Sequence, residues 1–348
     1  VLTSVHAFAA DPGRGLFILM FLGAVIGGSL ALYALRADDE APGKPFANTS
    51  RELLLLVNNL LLTVACATVL IGTLFPLLLE ALGSDDKISV GPPYFAFMFA
   101  LLMAPLVLLL PLGPLTRWQR DQWPRPTRLL LPWAGLALAG GVVAFFMAPQ
   151  GAVKTAAGVA GALWVAGGTA RFVWQRLRVV RNPLTAETMG MVLAHSGIAV
   201  FLVGALLVEG LAQQREIALK PGQALELGRD RFRFDGVTQI DGPNYLARRG
   251  TIEVFRDGDR VDTLHPEKRE YASGGQVMTE AAIRPGALRD VYVALGESLG
   301  GEAWAVRVHI KPFVRWIWCG ALLMALGGLV TAFDRRFRTR EASTEKPQ

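Results

Sequence analysis

The chain has 348 residues, of which 52% are hydrophobic and 18% are charged, and its mean hydropathy is +0.37. A soluble domain cannot bury so large an apolar fraction, so the composition predicts a multi-pass α-helical membrane protein. The formal net charge of +6 does not indicate nucleic acid as a partner, because the basic residues lie in short loops between apolar stretches, as membrane topology requires.

Seven apolar stretches are long enough to cross a bilayer. They cover residues 16–35, 53–79, 94–112, 129–148, 154–173, 189–210 and 313–333. The first six predict a membrane domain over residues 1–210, and the last helix with its basic end covers 313–338. The polar end, 339–348, is predicted to be a disordered cytoplasmic tail. Because the chain begins at Val1 without a signal peptide, we expect a fragment or a processed portion of a longer protein.

The arginine and lysine residues predict the orientation, because cytoplasmic loops of membrane proteins are enriched in both. One set of alternate loops, together with the end of the chain, carries most of the arginine and lysine residues that lie near the apolar stretches. Its members are Arg36, Lys44, Arg51, Arg117, Arg120, Arg125, Arg128, Arg171, Arg176, Arg178, Arg181, Arg335, Arg336, Arg338 and Arg340. We therefore predict a cytoplasmic C-terminus, with the N-terminus of this chain and residues 211–312 on the opposite, periplasmic side.

Capping signals mark two helix starts. Asp11 followed by Pro12 is typical of an N-cap and a first helical position. Thr49 and Glu52 stand three residues apart before an apolar run, so this pair predicts a capping box.

Residues 211–312 differ from the rest of the chain. Short segments alternate apolar and polar residues, as in R-E-I-A-L and W-A-V-R-V-H-I, and Gly, Pro and Asp separate them. The dipeptide Asp257-Gly258 between two such segments is a strong β-hairpin signal. These features predict an extracytoplasmic β-rich domain, a small barrel or a sandwich, inserted between the last two spans.

Few residues in the chain offer chemistry. Cys66 and Cys319 lie inside apolar stretches, where we expect small core residues and neither a disulfide nor a metal site. The stretch 189–210 contains one ionisable residue, His195. An ionisable group at membrane depth is energetically costly and usually functional, and imidazole is suited to bind a haem iron or carry a proton. The alternative is a neutral histidine satisfied by a neighbouring helix.

Helical geometry favours the ligand interpretation of His195. Three glycines repeat every seven residues: Gly190, Gly197 and Gly204. At 100° per residue they form a smooth strip about 200° from the histidine, which we expect to pack on a neighbouring helix. The other face presents the imidazole between Ala194 and Ala199, and their small side chains are expected to leave room for a planar cofactor.

A haem centre in a membrane usually has two axial ligands. The topology puts the other histidines, His6, His265 and His309, outside the bilayer, so a second intramembrane histidine must come from a missing part of the protein or from another subunit. His265 and His309 are interpreted as ordinary domain residues. His6, taken alone, is interpreted as a solvated interfacial histidine, and Arg14 suits either a haem propionate or a lipid headgroup.

Several segments resemble cytochrome c maturation protein F, the haem-attachment component of a bacterial cytochrome c assembly system. They are S-V-H-A-F-A-A-D-P-G-R-G at 4–15, S-R-E-L-L-L-L-V-N-N-L-L-L at 50–62, G-P-P-Y-F at 91–95, N-P-L-T-A-E-T-M-G-M-V-L-A-H-S-G-I-A-V at 182–200, M-T-E-A-A-I at 278–283 and R-D-V-Y-V-A-L-G-E at 289–297. In this order they extend over essentially the whole chain. They resemble only the C-terminal part of the family, because its Trp-rich periplasmic motif and upstream spans have no match here.

The resemblance implies a role for two histidines. His6 matches the second of two periplasmic histidines that bind the incoming haem, which is the substrate, and this makes it the expected catalytic residue. His195 matches the second of two intramembrane histidines that hold a b haem. Arg14, near His6, remains the expected contact of a haem propionate. Both iron sites are therefore half-sites, with partner ligands outside this chain.

The resemblance also implies a reaction and its partners. The expected activity is that of a haem lyase, acting as part of a complex, which attaches haem to C-x-x-C-H motifs of apocytochrome c at the periplasmic face of the inner membrane. The expected partners are apocytochrome c, a haem chaperone, a thiol-redox subunit that presents the apocytochrome, the missing N-terminal half or a second subunit, membrane lipid, and quinol as an electron source.

Two other interpretations stay open. A haem-containing electron-transfer or transport subunit without lyase activity would carry the same histidine-bearing helix, although the sequence has no convincing repeat of the transporter type. A paralogue dedicated to nitrite reductase maturation would perform the same chemistry on a different acceptor.

Overall fold

The computed structural model describes residues 12–36, 45–82, 90–148, 150–181, 184–272 and 277–334. Seven helices in this part of the chain are long and apolar enough to span a membrane, as predicted. The spans are α1 (Pro12–Arg36), α2 (Arg51–Ala81), α3 (Pro92–Leu109), α5 (Pro124–Met147), α6 (Ala152–Trp174), α7 (Ala186–Leu211) and α8 (Val314–Ala332). A short helix, α4 (Leu112–Leu115), follows α3. The protein is therefore a multi-pass membrane protein with a β-domain between its last two spans.

The chain divides into two compact units, whose boundary between Leu129 and Leu130 lies inside α5. The first unit contains α1 to α4 and the beginning of α5. The second contains the rest of α5, the helices α6 to α8 and the β-domain. The helix that carries the candidate ligand and the β-domain thus belong to one unit.

The start of α2 differs from the predicted capping box. Ser50 is the N-cap, and its Oγ accepts a hydrogen bond from the Leu53 N–H at 3.2 Å. The pairing of Thr49 with Glu52 is wrong, because the helix begins one residue later than that pairing requires. The Glu52 carboxylate instead accepts the Gln119 N–H, at 2.9 Å to each oxygen. The glutamate thereby joins the helix to a distant loop.

The end of α6 changes its winding. Residues Gln175–Val179 form a π-helical turn, in which the Val180 N–H donates to the Gln175 carbonyl at 3.0 Å. This fifth span therefore continues past the predicted end at 173. Short π-helical segments are rare and often occur at functional sites.

The β-domain has ten strands in this part of the chain. They are β1 (Gln213–Leu219), β2 (Ala224–Leu227), β3 (Asp230–Asp241), β4 (Tyr245–Arg256), β5 (Asp259–Leu264), β6 (Glu267–Tyr271), β7 (Met278–Glu280), β8 (Ala282–Arg284), β9 (Arg289–Gly300) and β10 (Ala303–Pro312). One antiparallel sheet has the order β1-β10-β9-β8, and the other has β2-β3-β4-β6-β7, with β5 paired to β4. Of the two predicted forms, the domain is therefore a sandwich.

Alternating residues of both sheets fill the domain core. Phe232, Phe234 and Ile252 from one sheet and Val293 and Val306 from the other are 0% exposed. The period-two pattern that predicted the strands therefore also separates the core face from the solvent face. The predicted hairpin is confirmed, because Asp257 and Gly258 have φ values of 52° and 95° between β4 and β5, as a two-residue type I′ turn requires.

Three sequence expectations need correction or fall outside the described residues. Cys66 and Cys319 were expected to be small core residues, but both are exposed on their helices and form no disulfide. The outer faces of membrane helices contact lipid, so an apolar position in a span need not be buried in the protein. Asp11, the predicted N-cap of α1, and the predicted tail 339–348 lie outside the described residues.

Candidate functional site

The helix α7 begins with a strong local signal. The side chain of Thr185, the N-cap, accepts a hydrogen bond from the Thr188 N–H at 3.3 Å. Glu187 in the first turn places a carboxylate at the positive end of the helix dipole. Because the helix starts at Ala186, His195 lies about 14 Å along its axis, nearer the end that is predicted to be cytoplasmic.

The imidazole of His195 is half-buried and has a defined partner on its own helix. Its Nδ1 lies 2.9 Å from the carbonyl oxygen of Met191, one turn earlier. A backbone carbonyl only accepts hydrogen bonds, so Nδ1 must carry the proton. In the neutral ring the lone pair is then on Nε2. This is the arrangement in which protein histidines usually bind a metal, with the second nitrogen held by a carbonyl or a carboxylate.

The glycine strip of α7 packs directly on α8, as predicted. A Cβ atom on Gly190 would lie 2.5 Å from the Gly327 carbonyl oxygen, and one on Gly197 would lie 2.7 Å from the Gly320 carbonyl oxygen. A Cβ atom on Gly204 would also meet the backbone of α8, at 2.4 Å. Gly320 and Gly327 are themselves seven residues apart, so each helix supplies a matching strip. Small residues let two membrane helices approach at backbone contact.

Ala194 and Ala199, the two small residues near His195, both pack inside the protein. Ala194 turns toward α8, where its Cβ lies 3.1 Å from the position that a Cβ on Gly327 would take. Ala199 is buried, with 7% of its surface exposed. Ala194 therefore belongs to the face of α7 that packs on α8, because a residue adjacent to His195 on a helix is rotated by about 100° from it. Room for a planar cofactor beside the imidazole stays a prediction.

Open space occurs on the α8 side of α7. An open groove of about 600 Å³ lies there on the surface where the two helices meet. Its lining residues are Gly190, Met191, Ala194, Met324, Gly327, Gly328, Thr331 and Ala332. The groove is mostly apolar, and Met191 and Ala194 are the lining residues that lie closest to His195 on the helix. It has the size of an ordinary small-molecule cleft.

Polar contacts hold α7 at both ends. Near its start, the Asp334 carboxylate accepts the Glu187 N–H at 2.8 Å, so the end of α8 joins the beginning of α7. Near its end, Glu209 forms an ion pair with Lys154 of α6, with both side chains more than half exposed. The first contact is buried and fixes the helix pair, whereas an exposed pair contributes little.

The β-sandwich is tied to α8, and through α8 to α7. The Arg315 Nε donates to the Asp290 carboxylate at 3.0 Å, and the Trp316 indole N–H donates to the Ala287 carbonyl at 3.0 Å. Asp290 is 5% exposed. Because Arg315 and Trp316 belong to the first turn of α8, these bonds join the domain to the helix that packs on the glycine strip.

The other predicted site residues are not brought to His195. His6 lies outside the described residues, and Arg14 belongs to α1, where the structure does not describe its side chain. His265 is exposed between β5 and β6, and His309 is half-buried on β10. No group of three or more His, Cys, Asp or Glu residues within the described ranges could hold a metal ion. His195 is thus a candidate ligand without a second one beside it among the described residues.

The sequence analysis missed two contacts that position His195 and its helix. The carbonyl of Met191 sets the tautomer of His195, and the i–4 spacing on a helix was the available signal for it. The second glycine strip, Gly320 and Gly327, has the same seven-residue spacing as the first, so it was visible in the sequence.

Comparisons with known proteins agree in their assignment. The family model described as the CcmF C-terminal beta-sandwich matches residues 210–312. The cytochrome c-type biogenesis protein CcmF of Pseudomonas aeruginosa is 48% identical over 98% of this chain, and that of Escherichia coli K12 is 45% identical, also over 98%. The chain spans only 52% of either relative's length. A solved structure named cytochrome c heme lyase CcmF has a similar fold, with a TM-score of 0.72 and 22% identity over 92% of this chain and 50% of that one.

Proposed function

The chain is a homologue of the C-terminal half of CcmF, and from this premise we propose that it is the C-terminal, haem-binding part of a cytochrome c haem lyase. In this proposal His195 would bind the iron of a b haem inside the bacterial inner membrane. His6 is a ligand of the substrate haem at the periplasmic face, and Arg14 contacts a propionate of that haem. The sandwich and the N-terminus of the chain are periplasmic, and the C-terminus is cytoplasmic.

The observation that carries the proposal is the hydrogen bond between His195 and Met191. With its Nδ1 proton held by the carbonyl at 2.9 Å, the ring offers the Nε2 lone pair in a fixed orientation. A haem ligand needs such an orientation, because the iron–nitrogen bond is directional.

The residues around His195 fit one side of a haem site. The imidazole supplies one ligand, and the apolar groove next to Met191 and Ala194 offers a surface that a macrocycle can share. A second ligand to the iron would come from a part of the protein outside this chain or from another subunit. The haem held there would supply one-electron redox chemistry, with quinol as the electron source. The contribution of this chain is to bind the iron, to hold the ring and to exclude water.

At the periplasmic face the proposed reaction is the addition of thiols to alkenes. Each cysteine sulfur of the C-x-x-C-H motif forms a bond to one vinyl carbon, and the thiol hydrogen ends on the other carbon of the same vinyl group. No net oxidation accompanies this addition. His6 and its partner ligand hold the substrate iron so that the vinyl groups meet the peptide, which is catalysis by positioning. A haem chaperone delivers the substrate, and a thiol-redox subunit presents the reduced apocytochrome.

The test of the intramembrane site is His195→Gly in the complete protein. We expect the b-type absorption spectrum to disappear and to return when imidazole is added, because free imidazole can occupy the space of the lost side chain. The matched control is His265→Gly, an exposed histidine of the β-domain, which should keep the spectrum. A full b-type spectrum in His195→Gly would contradict the proposed ligand.

The test of the lyase function is the maturation of a reporter cytochrome c. His6→Ala should abolish thioether-linked haem in the reporter while the b-type spectrum stays. An electron-transfer or transport subunit would keep the b haem but would never yield a thioether-linked product, in the original protein or in any variant. Normal maturation by His6→Ala would show that His6 has no part in the reaction.

A further inference from the structure

Three polar atoms at the end of α6 are buried without a hydrogen-bond partner. They are Arg171 Nη1, Gln175 Oε1 and Arg176 Nε. A buried polar group without a partner costs about 1–3 kcal/mol, and more when it is charged. Folded proteins leave few such groups, and a cluster within six residues of sequence needs an explanation. A bound group that is absent from the protein chain itself is the simplest one.

These three side chains lie close together along the helix. Arg171 and Gln175 are four residues apart, which places them side by side on a helix. Arg176 follows Arg171 by five, and an α-helix would rotate it by about 140° from that position. The α-helical bonding continues up to Gln175, whose N–H donates to the Arg171 carbonyl, and the π-helical turn begins there. The spacing therefore puts two cations and an amide within an arc of about 140° at one end of the helix.

The charges of the cluster identify the class of ligand. Within the described ranges, no carboxylate forms an ion pair with Arg171 or Arg176. Arg171 is positioned over the ring of Trp174, at 4.6 Å from its centroid, which fixes the guanidinium but leaves Nη1 without an acceptor. The Gln175 amide can turn its NH₂ group toward an acceptor, because the two ends of an amide are assigned from their partners. Two guanidinium groups and an NH₂ group bind a phosphate well.

The position of the cluster identifies the source of the phosphate. The apolar span that begins at Ala152 ends at Val179, so the cluster lies where a membrane helix reaches the headgroup layer. Trp174 is 53% exposed, as expected for an aromatic residue at that boundary. Basic pockets between membrane helices on the cytoplasmic side bind acidic lipid headgroups, and the arginine distribution predicts that this end is cytoplasmic.

The cluster is separate from the haem site proposed above. Gly158 lies on the face of α6 that packs on α7, where a Cβ atom would lie 2.6 Å from Leu207. Arg171 follows it by 13 residues (171 − 158), which is about 220° of rotation beyond complete turns. The arginine therefore faces away from the helix that carries His195. We propose that Arg171, Gln175 and Arg176 form a binding site for the phosphate of an anionic phospholipid headgroup, and this proposal does not depend on haem binding.

The experiment measures thermal unfolding of the complete protein, purified in detergent and stripped of lipid. Cardiolipin, which carries two phosphates, should raise the unfolding midpoint, whereas the zwitterionic lipid phosphatidylethanolamine and inorganic phosphate at equal phosphorus concentration should not. Arg171→Gln and Arg176→Gln should each weaken the apparent affinity for cardiolipin about fivefold, since one arginine at the membrane surface contributes about 1 kcal/mol. Arg178→Gln, an exposed arginine of the same turn, is the control and should bind normally.

A second variant keeps the test decisive if the arginine variants fold poorly. Gln175→Glu places a carboxylate between the two guanidinium groups. It should raise the midpoint of the lipid-free protein and remove most of the response to cardiolipin, because the anion is then supplied by the chain. Equal cardiolipin affinity of Arg171→Gln and Arg178→Gln, a full response to inorganic phosphate, or a lower lipid-free midpoint of Gln175→Glu would each overturn the proposal.

Discussion

Gly197 and Gly320 place the backbones of α7 and α8 in contact. A Cβ atom on either residue would lie 2.7 Å from the carbonyl oxygen of the other, a distance at which something must move. The contact is reciprocal, so neither helix can accept a side chain there. The orientation of α7 about its own axis, and with it the direction of His195, follows from this pair.

The first prediction tests this contact with two glycines of the same helix. Gly320→Ala should lower the thermal unfolding midpoint, because the new methyl group meets the Phe201 N at 2.5 Å, and overpacking of this kind costs about 1–3 kcal/mol. Gly328→Ala is the matched control, since a Cβ there meets nothing within 4 Å. It should leave the midpoint unchanged or raise it slightly through helix propensity. Equal effects of the two substitutions would contradict the packing.

The spans and the glycine contact could be predicted because each depends on one simple pattern. An uninterrupted apolar run of about twenty residues can only be a membrane helix in this context, and glycine every seventh residue makes one smooth strip. The neighbour that Ala194 packs against could not be predicted from such a pattern. It depends on where the second helix sits relative to the strip, and that position is set by residues more than one hundred positions later in the chain.

The second prediction concerns the bond between the β-sandwich and α8. Asp290→Asn should loosen the domain, because the Asp290 Oδ1 accepts both the Arg315 Nε at 3.0 Å and the Gly286 N–H at 2.9 Å. A hydrogen bond to a charged group contributes about 1.5–3 kcal/mol, so local opening should become at least tenfold more frequent. The measurement is the rate of limited proteolysis, in the complete protein, at the junction between β10 and α8.

The control for the junction is Glu216→Gln. This glutamate pairs with Arg307 on the surface of the same domain, and both side chains are more than 40% exposed. Exposed pairs of this kind contribute about 0–1 kcal/mol, so proteolysis should keep its original rate. A junction that is cleaved no faster in Asp290→Asn than in Glu216→Gln would show that other contacts hold the domain.

Some features of the site have no signal in a single sequence. Ser50 and Thr49 are both good N-cap residues, and only the loop that holds Glu52 through the Gln119 N–H decides between them. The π-helical turn after Trp174 is another case, because its local sequence is compatible with an α-helix. At the start of α2 a tertiary contact thus favours one of two local structures of nearly equal energy.

The third prediction concerns the ion pairs that join the two sheets. Asp230 on β3 has a side chain that is 0% exposed, and it pairs with Arg256 on β4 at 2.8 Å and with Arg289 on β9 at 2.9 Å. Asp230→Asn should destabilise the sandwich by about 3 kcal/mol, at the low end for a broken buried pair, because both arginines keep some contact with water. Asp235→Asn, in a partly exposed pair with Arg233, should have little effect on the unfolding midpoint. Similar midpoints for the two variants would exclude a structural role for the buried pair.

The fourth prediction is a pH dependence that originates at His309. Burial, followed by the positive charges of Lys311 and Arg307, lowers the pKa of this histidine below its ordinary value of 6.5, and Glu216 opposes the shift. Across the strands it lies opposite Tyr292 and Gln214, which carry no opposing charge. The folded domain therefore binds the proton less readily than the unfolded chain does.

The sign of the effect follows from this difference. Above the unfolded pKa of 6.5 the histidine is neutral in both the folded and the unfolded state, so its titration does not change the free energy of unfolding. As the pH falls below that value, the unfolded chain takes up the proton first, so stability decreases until the folded pKa is passed. The unfolding midpoint of the β-domain, followed in the complete protein, should thus fall more between pH 7.5 and pH 5 in the original protein than in His309→Gln. His265→Gln, at an exposed position, should retain the original pH dependence, and an unchanged slope in His309→Gln would assign the acid sensitivity to another group.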